Sequence, residues 1–580
     1  MTKRTIIILA SILIVVIGGF IYLKYYLLKA KDFKPDESKA RNILDLRPSI
    51  IAKLQQLVKD GSNGLYVLSI EELNPDIIAS TLDASDVNLR IDSAVMRSLD
   101  IQKKLPDDIF NIHFDSLHID GIGLQDLLHK HSIDITRANI GGPYIEIYHK
   151  ARAYNQTIRD HNDIMSLYQK IKGQMNSIGI GHINVDKGTL IMYDGSHPKN
   201  VTKLHLINIH VNDLLVDSST QFDASRVLFA KELNIEAKDY MIATADSLYY
   251  FKTSAISISA AQHRIILQDV EMKPRGTKEQ FQSKLKYQKE MFHLFLKRVE
   301  FNSVDWWSLM NRDKFIATQG AMTGGFLKVY LDRTLPRPPL LKTSNFPHQL
   351  LMRVPMPIAV DHISVQDLDV SYEEFNPSSK QSGTASFNDL SGQINYASNI
   401  ASRIKQHPFA DVSANGMFMQ NTPIKASFKF DLLKAKTGEF AADFHIGTID
   451  NTTINSISQP LGMAFVKSGD MQEITVHLNG DNYKTNCKLA VAYTDLHITP
   501  LKKADENGVM KSKHATSFIA NLLLVKNSNP SKGEALRQPE FAVQKDHYNK
   551  FFHFIWVTTL TGIVKTIGVP LKLVPIDKGG

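Results

Sequence analysis

His113, Asp115, His118 and Asp120 crowd the stretch "NIHFDSLHID" (111–120). Imidazole and carboxylate together form the ligand set of a zinc or related divalent-metal centre, provided they converge on one point. Along an extended strand successive side chains alternate. His113 and Asp115 then share one face, while His118 and Asp120 share the other, so the set reads as strand histidines at a solvated surface. His129 and His131 lie two apart, where a helix should give way to a strand. His182 and His362 each precede an apolar residue in a strand and read as hydrogen-bonded structural residues. The single cysteine, Cys487, sits at an apolar slot of an alternating segment and reads as a buried thiol; with no second cysteine there is no internal disulfide. Trp306-Trp307 would suit an aromatic binding site, although Trp306 aligns with a core position described below. No nucleophile elbow, phosphate-binding glycine loop, dinucleotide fingerprint or paired metal motif is present, so the expectation is a protein with no catalytic centre, no metal and no cofactor.

The elements that position these residues repeat. The stretch "IGIGHINVDKGTLIMYD" (178–194) returns as "IAVDHISVQDLDVSYEE" from residue 358, with Ile178, His182, Ile183, Val185 and Tyr193 matched by Ile358, His362, Ile363, Val365 and Tyr372. Upstream, 117–148 aligns with 299–330 without a gap. Leu117 meets Val299, Ile119 meets Phe301, Ile133 meets Phe315 and Tyr148 meets Tyr330, while Gly141-Gly142-Pro143 forms a turn whose counterpart is Gly324-Gly325. Trp306 falls opposite Leu124. The period is far longer than that of small solenoid units and implies a duplicated module.

At 580 residues the chain has room for several domains. Its 43% apolar content, 28 Phe and 19 Tyr are those of a folded protein. The net charge of +8 is spread along the chain with no basic run interleaved with aromatics, which argues against a nucleic-acid partner. Residues Ile6 to Leu23 carry no charge, a run long enough for a transmembrane helix and followed by no good cleavage site. An uncleaved N-terminal anchor is therefore expected. Lys24, Lys29, Lys31 and Lys34 outnumber Lys3 and Arg4, and on that count alone the large C-terminal part would lie in the cytoplasm.

Helical spacing runs through 35–59, with Pro48 expected to divide it and Asp60-Gly61 to end it. Two further helices are expected in "TIRDHNDIMSLYQKIKGQM" and "KEQFQSKLKYQKEMFHLFLKRV". Six prolines between 334 and 357 mark an extended connection. Most of the remainder alternates with period two. "KASFKFDL" and "EFAADFHIG" place Phe428, Phe430, Phe440, Phe444 and Ile446 on one face around a turn at Lys436-Thr437-Gly438. "ITVHL" and "YKTNCKLAVAY" add Ile474, Val476, Leu478, Leu489 and Val491. These ten residues are the candidate lining of an apolar groove. The pattern is that of an antiparallel meander with one apolar face, and the alternating segments are enough for roughly twenty or more strands. The few helices cannot cover so much apolar sheet. A sandwich, a closed barrel, or a curved sheet filled by a lipid chain would resolve this.

Here the residues resemble a family. The N-terminal run, the paired elements "DHISVQDLDVSYEE" and "GTASFNDLSGQI", the meander "GEFAADFHIGTID…GDMQEITVHLNGDNYKTNCKLAVAYTDLHI", and the ending "SFIANLLLVKNSNP…HYNKFFHFIWVTTLTGIVKTIG" together are similar to the AsmA-like proteins of bacterial envelopes. These are relatives of TamB and of the bridge-like lipid-transfer proteins. The resemblance covers most of residues 1–568. It implies an inner-membrane anchor, a periplasmic body, and a β-groove that handles phospholipid or supports outer-membrane assembly. Independently, Phe551, Phe552, Ile555 and Trp556 belong to a broad apolar helix face that would contact a membrane or dock on the sheet.

The expected architecture is mainly β with a few helices: an N-terminal transmembrane helix, then an elongated, curved antiparallel β-sheet with a duplicated module. Its parts are an anchor (1–30), a helical and first-strand entry region (31–105), a first β module (106–294), a second (295–450), a C-terminal meander (451–545), and an amphipathic helix and tail (546–580). The expected partners are phospholipid or another acyl-chain lipid, the inner membrane, and envelope proteins. The expected function is lipid binding or transfer; a membrane-tethered periplasmic scaffold without lipid cargo is the alternative.

Overall fold

The computed structural model describes residues 47–76, 79–121, 132–155, 168, 176–195, 201–244, 246–338, 345–512, 526–545 and 550–568. The expected anchor and the expected helix in 157–175, apart from Tyr168, lie outside them. Among the described residues no helix is long and apolar enough to cross a membrane. The fold is mainly β, with 57% of the described residues in strands. It divides into two compact units. The first takes in the described residues up to Gln268 together with Asn302–Lys314, and the second takes in Asp269–Phe301 and the residues from Phe315 onward.

In the first unit helix α1 (Arg47–Gly61) ends at Gly61 as expected; the part of the expected helical stretch before Arg47 lies outside the described residues. Strands β1 (Tyr66–Asp76) and β2 (Thr81–Ile91) form a hairpin, and helix α2 (Ser93–Ile101) follows, capped by the Asp92 carboxylate. Strand β3 (Asp108–Asp120) pairs antiparallel with β2. Its two halves pair with β4 (Ser132–Gly141) and β5 (Tyr144–His149). Both of these run parallel to β6 (Ser177–Asp194), and β7 (Val201–Val216), β8 (Ala230–Ala243) and β9 (Tyr249–Ser259) continue antiparallel. Strand β10 (Arg264–Pro274), the short helix α3 (Lys278–Gln282), strand β11 (Met291–Val304) and helix α4 (Trp306–Arg312) follow in the chain.

The second unit contains β12 (Phe315–Asp332), helix α5 (Pro347–Leu351), β13 (Ile358–Asn376), β14 (Gln381–Ser398), helix α6 (Ala401–Gln406), β15 (Phe409–Phe418), β16 (Thr422–Asp431) and β17 (Phe440–Ile446). It ends with helix α7 (Asn451–Gly462), β18 (Ala464–Gly480), β19 (Lys484–Pro500), β20 (Glu540–Gln544) and helix α8 (Phe551–Ile567). Strand β12 is parallel to β13, and every later neighbour is antiparallel. The helix expected across 278–299 is not formed as one element, and its last part, 291–299, is strand. Only Lys278–Gln282 is helical, closed by a Thr277–Gln280 capping box, and β11 follows. Alternation in "MFHLFLKRVEF" prevails over the helical spacing of Phe281, Leu285, Phe292 and Phe295, since short apolar runs fit both periods.

The repeated pattern occupies equivalent strands, β6 and β13, although the register puts Glu373, not the matched Tyr372, in the place of Tyr193: Tyr193 is the partner of Tyr148, and Glu373 the partner of the aligned Tyr330. Ile133 is the register partner of Ile178, and its aligned residue Phe315 is the partner of Ile358. His182 Nδ1 lies 2.8 Å from Asn212 Oδ1, and His362 Nδ1 lies 2.9 Å from Asn395 Oδ1. Both strands break register beside a residue with positive φ, Lys187 (58°) in β6 and Asp367 (54°) in β13. The upstream partner differs. Pro143 separates β4 from β5, whereas its aligned residue Gly325 lies within the unbroken strand β12. Proline offers no N–H to a ladder and glycine does.

Candidate functional site

Nine apolar strand residues set up the candidate site. Val365, Leu368 and Val370 on β13 sit beside Phe387, Leu390 and Ile394 on β14, and Ile394 meets Val412 on β15. Leu327 and Val329 on β12 flank Val370 and Tyr372. All nine are partly exposed. Ser364, Ser371, Ser386, Ser391, Gln393 and Asn395 alternate with them, giving one apolar and one polar face. Plain alternation would turn this face over part-way along each strand. Asp367 and Asp389, both at positive φ, take up one extra residue and keep Leu368 and Leu390 beside Val365 and Ile394. Aspartate tolerates that backbone better than most residues, which gives the "QDLD" and "FNDL" spellings a physical reason.

The same face continues through β16 to β19, and there it is dry. Phe428, Ala442, Leu478 and Cys487 lie in one cross-strand row, and Phe444, Val476 and Leu489 in the next. Of the ten lining candidates, Phe430, Phe440, Ile474, Val476, Leu478, Leu489 and Val491 are buried, and Phe428, Phe444 and Ile446 are partly exposed. All ten belong to, or pack against, one core. Helix α8 covers it. The Phe551 ring lies 5.0 Å from Phe440 and 5.6 Å from Phe430, and Gly562 is so close to Leu489 that a Cβ there would come within 2.8 Å of it. Thr558, Thr561 and Thr566 on the buried side of α8 donate to the carbonyls of Phe554, Val557 and Gly562 at 2.7–2.8 Å, leaving those hydroxyls satisfied. Of the membrane-contact candidates, Phe551 is buried, Ile555 is partly exposed, and Phe552 and Trp556 are exposed.

Two further features shape this face. Phe346, fully buried, enters the core 5.0 Å from Phe551, and His348 stacks on Phe430 at 5.1 Å. Among the described residues neither ring nitrogen of His348 has a hydrogen-bond partner, and burial pulls its pKa down to about 4 despite the nearby Asp431. Beyond Val370 the apolar face ends in a polar group: Glu374 accepts from Arg333 at 3.0 Å and from Tyr372 at 2.9 Å. Burial, then Glu374, raises the Tyr372 hydroxyl well above its ordinary value. Burial alone pushes the Cys487 thiol up to about 12, consistent with an unreactive core residue.

The other chemistry-bearing residues fall elsewhere. Trp306 is buried and donates to the Ala260 carbonyl at 3.1 Å. His113 and Asp115 do not lie on the face opposite His118 and Asp120. Phe114, Leu117 and Ile119 are all buried, so the alternation slips by one residue between Phe114 and Leu117 and puts all four polar residues on the solvated side. They remain separate: His113 contacts Asp115 at 3.0 Å, and His118 lies between Asp83 and Asp120. His129 and His131 lie outside the described residues.

No protein-family model matches the chain, and no curated protein matches it.

Proposed function

We propose that the partly exposed apolar face of β12–β15 is a groove that holds the acyl chains of a phospholipid. In this reading the protein is a membrane-anchored envelope component, its body in the periplasm, that binds or transfers lipid in support of outer-membrane biogenesis. The observation that carries the proposal is the set of nine partly exposed apolar side chains sharing one face of four adjacent strands. A contiguous apolar surface of this kind marks an interaction site rather than ordinary surface composition. Acyl chains suit it because they need no hydrogen bonds, and each buried methylene contributes about 0.8 kcal/mol. The Arg333–Glu374–Tyr372 group closes the face with polar atoms. The resemblance to AsmA-like proteins supports the same reading.

The dry core under α8 favours a second reading, a tethered scaffold whose apolar faces are all occupied by protein. Photo-crosslinking separates the two. A benzophenone side chain is placed in the full-length chain, in membranes, at Leu390 on the apolar face or at Gln393 on the polar face. A groove gives phospholipid adducts at 390 and not at 393. Protein adducts at 390 support the scaffold, and equal lipid labelling at both positions removes the groove.

A further inference from the structure

The polar face of the first unit carries an aromatic cluster that the groove does not use. Tyr144, Glu146 and Tyr148 alternate along β5, facing away from the buried Ile145 and Ile147. Tyr193 is the register partner of Tyr148 on β6, and the two rings stack with centroids 4.9 Å apart and planes 10° from parallel. Three hydroxyls point at one carboxylate: Tyr148 at 3.1 Å, Tyr193 at 3.4 Å and Tyr144 at 3.5 Å from Glu146. Asn111 Nδ2 adds a fourth donor at 3.2 Å. Tyr148 also packs against the small core of Leu65, Leu105 and Ile109, which anchors the platform. Burial, then Glu146, pushes the Tyr148 hydroxyl up to about 12, so it stays a donor at neutral pH. Among the described residues no cation pairs with Glu146.

The second copy of the pattern shows what fits such a place. Tyr330 is the residue aligned with Tyr148, and Glu373, its register partner on β13, stands where Tyr193 stands on β6. There the Lys278 ammonium lies 4.2 Å from the Tyr330 ring centroid and 2.7 Å from a Glu373 oxygen. One copy thus fills its aromatic and carboxylate site with the chain's own ammonium, and in the other the rings and the carboxylate meet no cation among the described residues.

We infer that the Tyr144–Glu146–Tyr148–Tyr193 cluster binds an organic ammonium group from outside the chain. Ring faces carry negative potential and a carboxylate is an anionic hydrogen-bond acceptor, so both select a cation. A lipid head-group amine and a soluble amine present the same chemistry.

The probe is choline, followed by saturation-transfer NMR on the full-length protein in a maltoside detergent. Its neutral carbon isostere, 3,3-dimethylbutan-1-ol, is the control. The expected result is saturable transfer to the choline methyls, little to the isostere, and about tenfold weaker choline binding in Glu146→Gln. Tyr193→Leu, which leaves the carboxylate and removes a ring, should weaken binding as well. Equal transfer to both probes, no saturable transfer, or an unchanged Glu146→Gln overturns the inference. Vesicles of ethanolamine lipid that compete with choline identify a head group as the source; absence of competition beside retained choline binding assigns the site to a soluble amine.

Discussion

On β18 and β19 the apolar face of the second unit is sealed: Val476, Leu489 and Val491 have no solvent-accessible surface. On β13 and β14 the same face, four to six strands away, leaves Val365, Leu368, Val370, Phe387, Leu390 and Ile394 partly exposed. The strands at both ends present one apolar and one polar face, so strand chemistry does not make the difference. Coverage does. Helix α8 lies on β19, and α7 reaches β18 and the far ends of β13 and β14. The first unit makes the same point. Val185 and Leu190 on β6 are buried, whereas their aligned residues Val365 and Val370 on β13 are not. A repeated pattern specifies register and face; what lies on that face is decided elsewhere in the chain.

The sharpest way to break the comparison is a charge on each half. Val476→Glu buries an unpaired carboxylate in the sealed half and should cost at least about 4 kcal/mol, enough to unfold the unit in a urea titration. A milder effect is expected at the edge of the sealed region, from His348. Its folded pKa lies below the ordinary 6.5, so it contributes stability above 6.5 that is lost as pH falls toward about 4. His348→Phe should remove up to about 3 kcal/mol of that acid-induced loss, seen as a flatter dependence of the urea midpoint between neutral pH and pH 4. The smallest change in stability belongs to the open half. Leu390→Glu can turn its carboxylate to solvent and should cost about 1 kcal/mol or less, while abolishing lipid adducts at neighbouring positions of the face. If Leu390→Glu unfolds the protein as Val476→Glu does, the two halves are not different and the groove is lost.

Much of the second unit was legible in the sequence. The hairpin around Gly438 has Phe428 opposite Ala442 and Phe430 opposite Phe440, and the next pair sets Leu478 opposite Cys487, all on the face that alternation assigns. The open lining was not singled out, although Phe387 and Leu390 lie inside the quoted "GTASFNDLSGQI". Strict period-two reading fails there because Asp389 takes up a residue, and the longest uninterrupted alternations belong to strands that become core. An aspartate or asparagine interrupting an apolar alternation was the available signal. The strand at 291–304 was obscured by a helical coincidence. The ammonium-type site was hidden differently: "YIEIYH" is an ordinary alternating hexapeptide until β6 brings Tyr193 beside it.

The threonines of α8 carry one more consequence. Because each of these three buried hydroxyls is satisfied within the helix, none of them depends on the sheet beneath it. A helix built this way is portable: moved from β19 to any other apolar surface, hydrocarbon included, it strands none of those three hydroxyls. The shape match at Gly562 and the contacts of Phe551 and Phe554 would be given up, together with the bonds that the Thr566 and Ile567 carbonyls accept at the end of the helix from Tyr493, Arg537 and Lys526.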